Sequence, residues 1–327
     1  MRHYKHLTLY ERENLLFLRA KGYSINAIAE SMGRNKGTIS RELRRNSVAN
    51  QYMPVVAQHQ YQARRAYCKP HNRLEHARLL EHVKHRLLEC QWSPEEIAGR
   101  LRAEYGKCII STTTIYRAIY SGWLNVPKSS TASVIKKLRH RGKRRRKRSV
   151  EEKRGKIQIS HDITERPAGA ENRSELGHWE ADTVVGKQGK ACLVTLVDRK
   201  SRYLMCGKAD KKNAQAVSRT MIDLLIGATA LSVTPDRGKE FARHADVTEY
   251  LDGLPFYFPQ PHQPWQRGSN ENTNGLLREY FPKGKDITEI PDDHIQRKVA
   301  MMNLRPRKCL NYRTPYEVHF EKVLHLA

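Results

Sequence analysis

No stretch of this 327-residue chain reaches the roughly 18 consecutive apolar residues of a membrane-spanning helix, and its opening, MRHYKHLTLYER, lacks the apolar core of a secretory signal. Both absences point to a cytoplasmic protein with no membrane partner. Cysteine is sparse and scattered: Cys68, Cys90, Cys108, Cys192, Cys206 and Cys309 form no CxxC pair, which argues against a zinc ribbon or a disulfide framework and fits reduced thiols. Cys68, His71, His82, His85 and Cys90 fall in one stretch, but without knuckle-like turns it reads as a basic helix rather than a zinc site. Acidic residues are also in short supply, 34 Asp and Glu against 60 Lys and Arg, a formal charge of +26. An excess of that size implies a polyanionic partner, nucleic acid foremost.

The length suits two or three domains. Residues 1–50 read as three short helices. Ser24 caps the second, in which Ile25, Ile28, Ala29 and Met32 keep helical spacing before Gly33. In the third, Ile39 and Leu43 point one way while Gly37, Thr38, Arg41, Arg44 and Arg45 occupy the opposite face, as a helix lying in a DNA major groove requires. Two such helices around a glycine-bearing turn predict a helix-turn-helix. Residues 51–135 form a helical region with a second unit of this kind. There Ser93-Pro-Glu-Glu96 is a capping box, Ile97, Ala98 and Leu101 make an apolar stripe, and a helix from Ser111 turns Ile115, Ala118 and Ile119 inward and Thr113, Arg117 and Tyr120 outward. Its outer face is less basic than the first, so DNA reading and a structural or dimer-forming role both remain open. Residues 136–160 hold the run KKLRHRGKRRRKRSVEEKR, a linker whose positive charge, Arg145 and Arg146 included, would bind phosphates.

From residue 161 to 327 the pattern becomes strand-rich. Strands are predicted over Trp179–Val185, Ala191–Asp198, Tyr203–Lys208, Leu231–Thr234 and Pro255–Phe258. Helices are predicted near Asn213–Ile226, Gly238–Leu251 and Gln266–Tyr280. Three strands followed by alternating helix and strand is the order of an α/β ribonuclease-H-like, integrase-type domain, so the whole chain reads as multidomain, all-α units followed by that fold. Asp182, Asp236 and Glu271 then fall on the central strand, at the end of the fourth strand and on the last helix. Converging carboxylates in so basic a chain suit two Mg2+ ions, or Mn2+, for phosphodiester chemistry. Glu180 and Asp198 are the nearest competing acids. Glu180 shares a strand face with Asp182 and could be a spare ligand, whereas Asp198 at a hairpin turn favours a structural role.

The segments LTLYERENLLFLRAKGYSINAIAESMGRNKGTISRELRRN, WSPEEIAGRL, STTTIYRAIY, GHWEADTVVG, TPDRGKEF and RGSNENTNGLLREYFPKG resemble bacterial DDE transposases of the insertion-sequence family numbered thirty. The resemblance implies that Asp182, Asp236 and Glu271 are the catalytic, metal-binding triad. It further implies that the amino-terminal helix-turn-helix reads the terminal inverted repeats and that the protein nicks DNA and joins the freed 3′-hydroxyl to another strand. A nucleoid-associated protein, at least dimeric when holding two DNA ends, is the expected assembly. The resemblance also sets Arg278, two turns beyond Glu271, against the DNA end, and it gives Asn270, Asn272 and Asn274 capping or phosphate contacts. Arg237 departs from the asparagine common at its position. A catalytically silent repressor that only occupies the repeats is the alternative, and the intact triad argues against it.

Overall fold

The computed structural model describes residues 6–48, 51–68, 72–125, 157–261 and 263–326. Arg145, Arg146 and nearly all of the basic linker lie outside the described residues, as do His71, His262 and the side chain of Trp265. The chain divides into two compact units, residues 1–75 and 76–327.

In the first unit, α1 (Leu9–Ala20) starts at a reciprocal capping box between Thr8 and Glu11, α2 (Ile25–Ser31) starts at Ser24, and α3 (Lys36–Asn46) starts at Asn35. Antiparallel β1 (Ser47–Val48) and β2 (Gln51–Tyr52) lead into α4 (Pro54–Tyr67). Leu15, Ile28, Ala29, Ile39, Leu43, Tyr52 and Ala57 form the core. Ile39 and Leu43 are buried, Arg41, Arg44 and Arg45 exposed, and Gly37 and Thr38 half-buried, so the third helix has the two faces its spacing requires. The fourth helix lies in the stretch from residue 51 that the sequence reading assigned to a helical region, without bounds of its own. It is fastened through buried Arg12, which donates to Glu42 (2.7 Å), to the Leu7 carbonyl (2.7 Å) and to Gln58 (2.5 Å).

The second unit opens with α5 (Ala77–Leu88), α6 (Pro94–Tyr105) and α7 (Thr112–Tyr120). Ile97, Ala98, Leu101, Ile115, Ala118 and Ile119 are buried, and Thr113, Arg117 and Tyr120 exposed. The other side of α6 docks on the carboxy-terminal segment. Arg100 donates to both carboxylate oxygens of Glu317 (2.6 and 2.9 Å), to Glu104 (2.5 Å) and to the Leu324 carbonyl. Arg305 bridges Glu96 (2.8 Å) and Glu279 (3.1 Å). Gly99 makes this approach possible, because a Cβ there would stand 2.1 Å from the Tyr312 ring. Gly99→Ala is therefore expected to lower stability by about 1–3 kcal/mol through overpacking, measured by urea unfolding, whereas an alanine at exposed Gly268, where a Cβ meets nothing, should change little.

The strand-rich part begins with β3 (His161–Asp162) and α8 (Ala168–Glu171). Next come β4 (His178–Val185), β5 (Cys192–Asp198), β6 (Leu204–Ala209), α9 (Ala214–Leu225), β7 (Ser232–Thr234), α10 (His244–Tyr250), β8 (Tyr257–Phe258), α11 (Gly268–Tyr280), α12 (Asp292–Asn303) and α13 (Pro315–His319). The sheet order is β6-β5-β4-β7, with β4, β5 and β6 antiparallel and β7 parallel to β4. A Val233–Phe256 bridge extends it toward the parallel pair β3 and β8. This is a ribonuclease-H-like sheet.

Alternation along the strands sorts two cores. Trp179 and Ala181 join Val217, Met221 and Leu225 of α9 on one face, and Val184 and Leu193 join Leu276, Leu277 and Val299 of α11 and α12 on the other. Every residue of β5 is buried. Two elements differ from expectation. The helix expected over 238–251 is broken into a 3-10 turn, Lys239–Phe241, and α10, and the strand over 255–258 shortens to Tyr257–Phe258 plus the bridge. Gly238 stands just before the 3-10 turn, where a Cβ would come within 2.7 Å of Asp236 Oδ1 and 2.4 Å of Glu240 Oε2, so the close approach of these two acids leaves no room for a side chain.

Candidate active site

Asp182 lies on β4, on the face that meets α11. Its Oδ1 accepts the Thr183 N–H (2.7 Å), and its Oδ2 accepts Asn274 Nδ2 (3.0 Å) and Arg267 (3.3 Å). Asp236 follows β7, which runs parallel to β4, so the two acids arrive at the same end of adjacent strands. Asp236 Oδ1 accepts the Gly238 N–H (2.8 Å), and Oδ2 lies 3.9 Å from the Arg267 guanidinium. Burial pushes the Asp182 carboxyl above the usual carboxylate range; the guanidinium pulls it back and the Asp236 charge adds to the rise. The structure thus brings together two of the three sequence-predicted acids.

Glu271 sits on α11, one turn before Asn274, and its side chain is exposed. Among the described residues no three Asp, Glu, His or Cys side chains stand close enough to hold one ion. The donors that do converge are the carboxylate oxygens of Asp182 and Asp236, whose chemistry suits a hard divalent ion, with the Arg267 guanidinium now facing them.

Neighbouring acids have structural partners. Glu180 is fully buried, paired with Arg199 (2.5 Å) and accepting the Asn270 N–H (3.0 Å), so it anchors the start of α11 to the sheet and is not a spare ligand. Burial lowers the Arg199 guanidinium to about 10. Asp198 accepts the Gly177 N–H (2.9 Å) and both the N–H and hydroxyl of Ser201 (2.6 Å each), a turn-forming role as its position suggests. Thr183, beside Asp182, donates to Glu240 (3.1 Å), which also pairs with Lys212 (2.7 Å). Arg237 turns away, donating to the Pro259 carbonyl (2.6 Å) and facing Asp162 (3.8 Å). Asn274 contacts Asp182 and Thr195 from the middle of α11, so it does not cap the helix. Arg278 donates to the Val185 carbonyl (2.5 Å).

Sequence reasoning missed Arg267 and the fixing role of Asn274. The signal lay in the short spacing from Glu271, which puts Arg267, Glu271, Asn274 and Arg278 along one side of the helix start.

Two aspartates at the same end of adjacent strands of a ribonuclease-H-like sheet thus meet at one guanidinium. A helix-turn-helix domain family matches residues 3–46. Over 96% of its length the chain is 37% identical to the transposase for insertion sequence element IS4351 of Bacteroides fragilis, covering 95% of that protein. It is likewise 37% identical to transposase InsI for IS30A of Escherichia coli, covering 83% of it, and 34% identical to the transposase for IS1086 of Cupriavidus metallidurans, covering 94%. The bovine immunodeficiency virus integrase core aligns with 44% of the chain and 94% of that core at 20% identity and a TM-score of 0.35. The chain belongs to the IS30 family of insertion-sequence transposases. No helix among the described residues is long and apolar enough to cross a membrane.

Proposed function

We propose that this transposase binds the terminal inverted repeats of its element as double-stranded DNA, cleaves a strand there and joins the freed 3′-hydroxyl to target DNA, using Asp182, Asp236 and Glu271. The observation that carries the reading is the convergence of Asp182 and Asp236 on a single guanidinium from segments far apart in sequence. Asp182, Asp236 and Glu271 would hold two Mg2+ ions, or Mn2+, which when bound activate the attacking oxygen and steady the leaving one. The protein's own part is positioning. Thr183 and Gly238 fix one oxygen of each aspartate by backbone hydrogen bonds, and Asn274 orients the second oxygen of Asp182. Glu271 is exposed on α11 and, three residues before Asn274, would join the two aspartates from the same side of the helix.

Arg41, Arg44 and Arg45, with Gly37 and Thr38, would enter the DNA groove. Thr113, Arg117, Arg145, Arg146 and Arg278 would add contacts. A working complex that pairs two ends would contain at least two copies. Changing Arg41, Arg44 and Arg45 together to Ala is expected to weaken end binding on the order of a hundredfold or more. Its salt dependence should flatten by about 0.9 in log–log slope for each phosphate that is no longer neutralised, measured by fluorescence anisotropy over a series of salt concentrations. An unchanged slope would remove these arginines from the interface.

The function itself is tested by supplying purified protein with the element's ends and magnesium and resolving nicked and joined strands on a denaturing gel. Joined product is expected. Tight, specific end binding with neither nicking nor joining would favour the repressor.

A further inference from the structure

We propose that Arg267 is a built-in counter-ion that spans Asp182 and Asp236 and gives way when a divalent cation binds them. The inference rests on the metal-dependent reading above. Arg267 sits at the junction between the 3-10 turn Pro264–Arg267 and α11. Its two terminal nitrogens face different acids, one 3.3 Å from Asp182 Oδ2 and the other 3.9 Å from Asp236 Oδ2. A guanidinium seated on a single carboxylate makes two parallel bonds near 2.7–2.9 Å. Here it is stretched across two, and the buried nitrogen facing Asp236 has no hydrogen-bond partner among the described residues.

The oxygens are sorted to match. Both Oδ1 atoms accept backbone N–H groups of their own segments, Thr183 and Gly238, whereas both Oδ2 atoms face Arg267. Withdrawing Arg267 from between them therefore leaves each acid anchored. Two half-buried carboxylates brought to one place repel each other, and a positive charge held between their Oδ2 atoms offsets that repulsion. The guanidinium supplies it from within the chain and a divalent ion supplies it from solution, and both call on the same oxygens. Binding of the metal and of Arg267 is thus mutually exclusive, which lowers the cation affinity of the DNA-free protein below what the same aspartates alone would give.

Mn2+ binding to the full-length protein, followed by electron paramagnetic resonance of the free ion, tests this with the parent, Arg267→Gln, Arg267→Lys and the Asp182→Asn/Asp236→Asn double variant. Arg267→Gln is expected to bind Mn2+ about tenfold more tightly than the parent, and Arg267→Lys, which keeps the charge, to bind like the parent. In metal-free buffer Arg267→Gln should unfold at a lower temperature than the parent, with the gap closing as Mn2+ is added. Equal or weaker Mn2+ binding by a folded Arg267→Gln, alongside parent binding that the double variant abolishes, overturns the counter-ion role alone. Parent binding that the double variant leaves unchanged overturns the metal reading and the counter-ion role together.

Discussion

Replacing Asp182 by Asn or Asp236 by Ala is expected to reduce strand cleavage and joining by about a thousandfold or more while leaving end binding within a few-fold of the parent. The size follows from the chemistry: groups that stabilise charge developing in a transition state contribute about a hundred- to a thousandfold each, and an aspartate that also holds the ion carries more. The selectivity follows from the chain's organisation, because the helix-turn-helix residues belong to a separate compact unit, residues 1–75. Asp182→Asn keeps the shape of the side chain and its acceptor for the Thr183 N–H, so a loss of joining by this variant cannot be assigned to misfolding if its unfolding temperature stays within a few degrees of the parent. The check is a denaturing-gel joining assay run beside an end-binding titration.

The largest expected effect on stability lies away from the acids. Arg100 and Glu317 are both almost wholly buried and meet through two hydrogen bonds, 2.6 and 2.9 Å, that tie α6 to α13. Arg100→Met would leave the Glu317 carboxylate buried without its main partner, and a loss of about 3–5 kcal/mol is expected in urea unfolding at neutral pH. The pair also gives stability a pH signature. Burial alone would raise the Glu317 carboxyl, but hydrogen bonds from Arg100 and from the Thr314 and Leu324 N–H groups outweigh it and hold it at about 2, against 4.5 for an ordinary glutamate. A carboxyl depressed in the folded state contributes stability that is complete above the unfolded value and is lost as protons bind. The parent should therefore lose this contribution between about pH 4.5 and pH 2, and Arg100→Met should lose less over the same interval. Parallel pH profiles for the two proteins would show that the ion pair does not hold the carboxyl down.

Local pattern carried the sequence reading where structure is local. Ser24, Ser93 and Ser111 cap helices as their positions suggest, the strands bearing Asp182 and preceding Asp236 fall where alternation and turn residues put them, and Ile39 and Leu43 are buried opposite exposed arginines. What escaped it depends on pairing across long separations. Glu180 and Asp182 share a strand face, and only the arrival of Arg199 and the Asn270 N–H at one of them separates a structural acid from a candidate ligand. Docking of α6 onto Glu317 and Tyr312 joins segments more than 200 residues apart, and no periodicity encodes it. Arg267 lay in the most recognisable motif of the chain, but a basic residue one turn before a helical acid reads as surface charge until β4 and β7 are seen to bring two carboxylates to it.

The central claim is that Glu271 acts with Asp182 and Asp236 although its side chain is exposed on α11. It is tested most directly by Glu271→Gln in the magnesium-dependent joining of element ends. A loss of joined product as deep as that of Asp236→Ala, with end binding intact, is the predicted result. Joining by Glu271→Gln at the parent rate would contradict it and remove Glu271 from the site.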